Sequence, residues 1–242
     1  MNDSLLFAAP IMIAAIVMAV RFVGCGLAGP TGNGNGVVVS VTGDVSGRGS
    51  LSATVSFPEN DPATQEYTTA GTYTYQIPYW CTAIDLILLG AGGGGTYGGI
   101  NNGVGGGAGN WKTATLERGS DIPWATTTIS ITVGQGGAPG AVTGAPAMSG
   151  GDTTATWDSS SGPTTDTAPG GGAGASSGGQ VGDAPNPGSQ SIGDATLTAG
   201  TAQPVAGATG NAPGGGGAGS DVITQGGAGA DGATVLIARQ QK

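Results

Sequence analysis

Glycine fills 52 of the 242 positions, about a fifth of the chain, where an average protein has roughly 7%. Much of it is concentrated in four tracts, residues 90–109, 134–151, 162–183 and 207–232. Glycine has no side chain to bury and loses more backbone entropy on ordering than any other residue, so disorder is the simplest expectation for such tracts. There is one ordered alternative. Where no Cβ intervenes, extended chains with the three-residue period of polyproline II can pack side by side, provided their ends are fixed. Five segments between the tracts offer those anchors: 72–77 (TYTYQI), 83–89 (AIDLILL), 111–118 (WKTATLER), 126–133 (TTTISITV) and 233–239 (ATVLIAR). Their β-branched and aromatic content reads as strands, so the expectation is packed tracts carried on a β framework.

The remaining composition removes whole classes of chemistry. Histidine is absent, which excludes Ser-His-Asp and Cys-His catalysis and any His-bound metal. Cys25 and Cys81 are too few for a four-cysteine zinc site and leave one disulfide or two buried thiols. The formal charge is −9, and residues 119–238 hold no Lys or Arg but eight carboxylates. Such a half would repel nucleic acid rather than release its counterions, so no nucleic-acid partner is expected. No cofactor and no enzymatic activity are expected either.

Residues 4–20 are uncharged and mostly apolar, and the apolar character resumes after Arg21 and fades at Gly29 and Pro30. We read 1–29 as one apolar helix, firmest over 10–23 because Pro10 suits a first turn. A helix without a polar face must be hidden in an oligomer core, a membrane or a cleaved signal peptide. Ile11, Ile13, Ile16, Val17 and Val20 are its candidate contacts with an oligomer or a membrane. Residues 30–62 then read as a linker and a β-hairpin, because Val37, Val39 and Val41 alternate, as do Leu51, Ala53, Val55 and Phe57. Residues 63–242 form the glycine-rich β domain.

Two motifs compete for attention. AIDLILLGAGGGG places Gly90, Gly92 and Gly95 at dinucleotide-fingerprint spacing, but no helix former follows and the next acid, Glu117, falls on another expected strand, so the spacing is incidental. Residues 216–224 (GGAGSDVIT) fit a calcium-binding nonapeptide, and 226–234 nearly do, which makes Asp221 and Asp231 weak calcium candidates. Stacked calcium turns need a strict repeat and at least three copies, and neither is present. Tyr79, Trp80, Trp111, Trp124 and Trp157 are read chiefly as scarce core or subunit-contact aromatics.

In wording and order, GSLSATV (49–55), GTYTYQIPYWCTAIDLILLGAGGGG (71–95), the run 107–137, NAPGGGGAG (211–219) and GGAGADGATVLIA (226–238) resemble the glycine-rich C-terminal domain of minor tail proteins from phages of mycobacteria and related actinobacteria. The pattern is also similar to wider glycine-rich adhesin-like β domains. The resemblance implies a mainly β fold, a jelly-roll-like β-sandwich with inserted polyproline-II-like glycine tracts. It further implies a structural virion protein of a phage tail, at the tip or as a fibre or decoration. The expected partners are other copies of itself as a homotrimer, other tail proteins, and a host-envelope glycan or lipid. Tyr97, Asn101, Asn102 and Trp157 are the candidate host-facing residues. The alternative is a membrane-anchored or membrane-penetrating tail-tip protein that uses the apolar N-terminal segment.

Overall fold

The computed structural model describes residues 38–42, 52–56, 60–175, 181–183 and 188–240. The expected N-terminal helix, its five contact residues and Cys25 lie outside these. The chain divides into two units, Met1–Pro58 and Glu59–Lys242. In the first, β1 (Val38–Thr42) pairs antiparallel with β2 (Ser52–Ser56), with Val39 opposite Val55 and Val41 opposite Ala53. This is the hairpin that the alternation predicts.

The second unit is built on two four-stranded antiparallel sheets, and the described residues include no helix. One sheet has the order β3 (Ala63–Tyr67), β12 (Ala233–Arg239), β5 (Ala83–Leu89), β6 (Trp111–Glu117). The other runs β4 (Gly71–Gln76), β7 (Thr128–Val133), β8 (Thr153–Ser159), β9 (Gly162–Ala168). A single hydrophobic cluster joins Ile84, Leu86, Leu88 and Leu236 of the first sheet to Tyr75, Ile129, Ile131 and Trp157 of the second. The alternate residues of the first sheet, Ile87, Leu89, Val235 and Ile237, meet Leu197 and Ala195 of a small hairpin, β10 (Ser189–Ile192) and β11 (Ala195–Thr198). Both faces of β5 and β12 are therefore buried, which is why they read as almost unbroken apolar runs instead of alternating.

The interruption in AIDLILL has a partner. Asp85, fully buried, accepts bonds from Arg239 Nε at 2.6 Å and Nη2 at 3.0 Å, and from the Thr115 hydroxyl at 2.7 Å. Register explains the grouping, since Thr115 lies opposite Asp85 on β6 and Ile237 lies opposite it on β12, two residues from Arg239. The bidentate contact with Asp85 holds the guanidinium pKa above its ordinary value.

Two expectations need correction. Strands β3, β8, β9, β10 and β11 were not among the five expected, and β9 opens what reads as a glycine tract at 162. Threonine, alternating with Ala and Trp in TTATWDS, carries β8, while a two-residue turn at 160–161 returns the chain as β9. The strand order is also not that of a jelly roll with its two Greek keys. The consecutive strands β7, β8 and β9 stay in one sheet as a meander, because β7 returns through its glycine excursion to its own neighbour and β8 returns through a tight turn.

Candidate functional site at the rod tips

Each glycine excursion leaves the same end of the strands as an extended rod. The 90–96 rod continues β5, and its amides bond to three neighbours in rotation. Gly90, Gly93 and Thr96 donate to Asn110, Gly107 and Val104; Ala91 and Gly94 to Gly151 and Met148; Gly92 and Gly95 to Ala230 and Gly227, all at 2.8–3.1 Å. Its carbonyls rotate in the same way among three further neighbours. Ala91 and Gly94 accept from Gly171 and Gly174, Gly92 and Gly95 from Gly137 and Gly140, and Gly93 and Thr96 from Gly217 and Ser220. A change of partner at every residue with return at the third is the period of polyproline II, a helix that has no internal hydrogen bonds to offer.

The six neighbours close a ring. The 103–110 rod bonds to 214–220, that to 226–232, that to 134–140, that to 148–151, that to 169–174, and that back to 103–110. Rods parallel to the centre alternate with antiparallel ones, the antiparallel rods accepting from the centre and the parallel rods donating to it. Burial is complete along 83–95, so the rod interior satisfies by this lattice the backbone groups that would otherwise be costly to desolvate. At four consecutive positions the spacing admits no side chain: a Cβ on Gly92, Gly93, Gly94 or Gly95 would overlap the carbonyl of Gly215, Gly172, Ala138 or Ala218.

At the far end the rods turn back in loops that the lattice ties together at their bases. Gly98 N donates to Ser220 Oγ at 2.8 Å, Gly207 to the Gly219 carbonyl at 2.9 Å, and Gly226 to the Gly140 carbonyl at 3.0 Å. Exposed aliphatic side chains stand on these loops: Ile100 at 93% exposure, Ile223 at 79%, with Val142, Val205 and Val222 also exposed. Asn101 and Asn102 are exposed on the Ile100 loop and Tyr97 is half-buried at its start. Trp157 does not belong with them. It is 5% exposed within the sheet core and donates its indole N–H to the Asp121 carbonyl at 3.2 Å, because its position on β8 faces inward with Ala155. The sequence does carry a signal for the aliphatic residues, which are the few bulky side chains in runs of small and polar residues.

The two calcium candidates serve the chain itself. Asp221 Oδ1 accepts from the amides of Ile223 and Thr224 and from the Thr224 hydroxyl, and these bonds, the Ile223 amide first, hold its carboxyl below the ordinary value. Asp231 binds the Ala70 amide through one oxygen and the Gly136 amide through the other, at 3.0 and 2.9 Å. Among the described residues no group of three or more potential metal ligands occurs. At the opposite end of the strands a shallow pocket lined by Ser120, Asp121, Trp157, Ser159 and Thr164 holds one carboxylate, and Asp121 already accepts from the Glu117 amide there. Cys81 is a buried free thiol, and burial pushes its pKa up.

A β framework that projects a ring of glycine rods around a central one defines the class of protein. A glycine-rich domain family matches residues 68–239, and the chain belongs to that family. It is homologous to phage-encoded proteins: the Gene 32 protein of Mycobacterium phage D29 is 43% identical over 172 residues, which cover 69% of this chain and 76% of that protein. The Gene 32 protein of Mycobacterium phage L5 is 44% identical over 127 residues, 50% of this chain and 58% of that protein.

Proposed function

We propose that this chain is a structural protein of a phage tail, a minor tail protein at the tip or in a fibre or decoration, that displays its rod tips toward the host envelope and catalyses no reaction. We read its two sheets as a β-sandwich that anchors the rods. The single observation that carries the proposal is the collection of exposed loops, with Ile100, Asn101, Asn102, Val142 and Ile223, at the end of a bundle whose interior is fully bonded. Preorganised loops lose little entropy on binding, which suits attachment better than turnover. A homotrimer held by the apolar segment 4–20, together with other tail proteins, would carry the domain in the virion.

Adsorption competition tests the proposal: purified full-length protein should slow attachment of the phage that encodes it, and antibody against the chain should label the tail. Labelling of the capsid alone, or no competition at any concentration, contradicts it. The apolar N-terminal segment supports a second reading, a membrane-anchored tail-tip protein. Light scattering separates the two, since a discrete trimer without detergent that becomes a monomer on removal of 1–29 favours the assembly role.

A further inference from the structure

We infer that the rod tips dock on an uncharged lipid surface, inserting one or two aliphatic side chains from each of several loops; this rests on the reading of the tips as the outward face. Three features converge. The exposed residues Ile100, Val142, Val205, Val222 and Ile223 come from four loops, Val222 and Ile223 as an adjacent pair and the others singly among small or polar sequence neighbours. That is the arrangement of side chains that enter between lipids, each reaching the boundary of headgroups and acyl chains while its neighbours stay at the polar level. Asn101, Asn102, Thr143, Thr224 and Gln225, all exposed on the same loops, provide hydrogen-bonding groups for that level.

The second feature is what the tips lack. Protein interfaces concentrate their energy in Trp, Tyr and Arg, and sugar sites stack rings on aromatic faces. These loops carry one aromatic residue, Tyr97, which is half-buried, and no arginine. The third is charge. No Lys or Arg occurs between 119 and 238, nor in the 97–102 loop, so nothing would draw the tips to anionic headgroups. Asp221, the acid of the 221–225 turn, is engaged by its own turn through Ile223 and Thr224. An uncharged headgroup, zwitterionic or glycosylated, fits this surface. The lattice beneath the loops, bonded at Gly98, Gly207 and Gly226, ties down the bases of the loops that carry the aliphatic side chains.

The test uses the full chain carrying Ile100→Trp, mixed with phosphatidylcholine vesicles whose acyl chains are brominated near the headgroup, and with vesicles containing phosphatidylglycerol. Because segment 4–20 is itself apolar, binding alone is not the readout; quenching and blue shift of the new indole beyond those of the unsubstituted protein are. The inference predicts both with neutral vesicles and weaker effects with anionic ones, and a loss of about tenfold in partitioning when Ile223→Ser is added. Bound protein without quenching at position 100, no binding, or a preference for anionic vesicles overturns it. The doubly substituted Ile100→Ser, Ile223→Ser protein distinguishes this failure from failure of the functional reading. If it no longer competes for adsorption while neutral vesicles give no quenching, the tips dock on a glycan or a protein and only the lipid inference falls. If it competes as the parent does, the tips are not the docking surface and both fall. Amide exchange of the rods, unchanged in these exposed-site variants, verifies that they are folded.

Discussion

β5 and the rod that continues it are buried to the same degree, residues 83–95 without a break, yet they exclude water by opposite means. In β5 the side chains fill the space, with Ile84, Leu86 and Leu88 facing one core and Ile87 and Leu89 the other. In the rod the backbone fills it, successive amides and carbonyls turned to different neighbours and no room left for a methyl group at Gly92, Gly93, Gly94 or Gly95. Burial therefore does not by itself dictate hydrophobic side chains; it dictates close packing with every polar group bonded, and bundled glycine meets that requirement as leucine does. The two regions should consequently obey opposite substitution rules.

The largest effects are expected in the sheets. Arg239→Met leaves the Asp85 carboxylate buried with only Thr115 as partner, which should cost about 3–5 kcal/mol in denaturant unfolding. Replacing Asp85 by Leu in that background should recover most of the loss, and a further loss instead would show that the site needs charge. Leu86→Ala, which removes a fully buried side chain, should cost about 2–5 kcal/mol by the same measurement. In the rod the damaging change is an addition: Gly93→Ala should cost about 3 kcal/mol, the upper part of the overpacking range, since the carbonyl it meets belongs to fixed backbone. A neutral Gly93→Ala would break the comparison.

A smaller effect separates the regions by pH. Tyr75 lies in the sheet core with no hydrogen-bond partner for its hydroxyl, and burial pushes that phenol up from 10.0 to about 12. The folded state keeps a proton that the unfolded state gives up, so the contribution is full below pH 10 and is lost as pH rises from 10 to about 12. Tyr75→Phe should flatten that decline in a series of melts and be neutral or stabilising by about 1 kcal/mol, because an unbonded buried hydroxyl is removed. The smallest effect sharpens the rule within the rods themselves. Gly172, exposed and with open space where a Cβ would stand, should accept Ala within about 0.5 kcal/mol.

Side chains with strong β preference made part of this legible from the sequence. The strands β4, β5, β6, β7 and β12 lie within or close to the segments that TYTYQI, AIDLILL, WKTATLER, TTTISITV and ATVLIAR define. β8 and β9 were obscured because Thr, Ala, Gly, Pro and Asp resemble the tracts around them in composition. Asp85 stands out in its strand, but its partner is 154 residues away and only the register brings them together. The packing of the tracts follows from glycine's missing Cβ, whereas the order of the rods does not, since near-identical glycine runs carry no pairing information. The strands set it, each fixing where its own rod begins or ends. The exposure of Asn101 and Asn102 follows from their polar loop; Trp157 is the core aromatic that its chief reading expects and not the host-facing residue of the other, because an aromatic on a strand of small residues supplies the core that those residues cannot.

The central claim, that backbone packing alone makes the glycine bundle as solid as the sheets, is tested most directly by residue-resolved amide hydrogen exchange at Gly92, Gly93, Gly94 and Gly95. The account predicts protection comparable to that of Leu86 and Leu88 in β5, with exchange only through global opening. Exchange of the four amides within seconds, beside a protected β5, would contradict it.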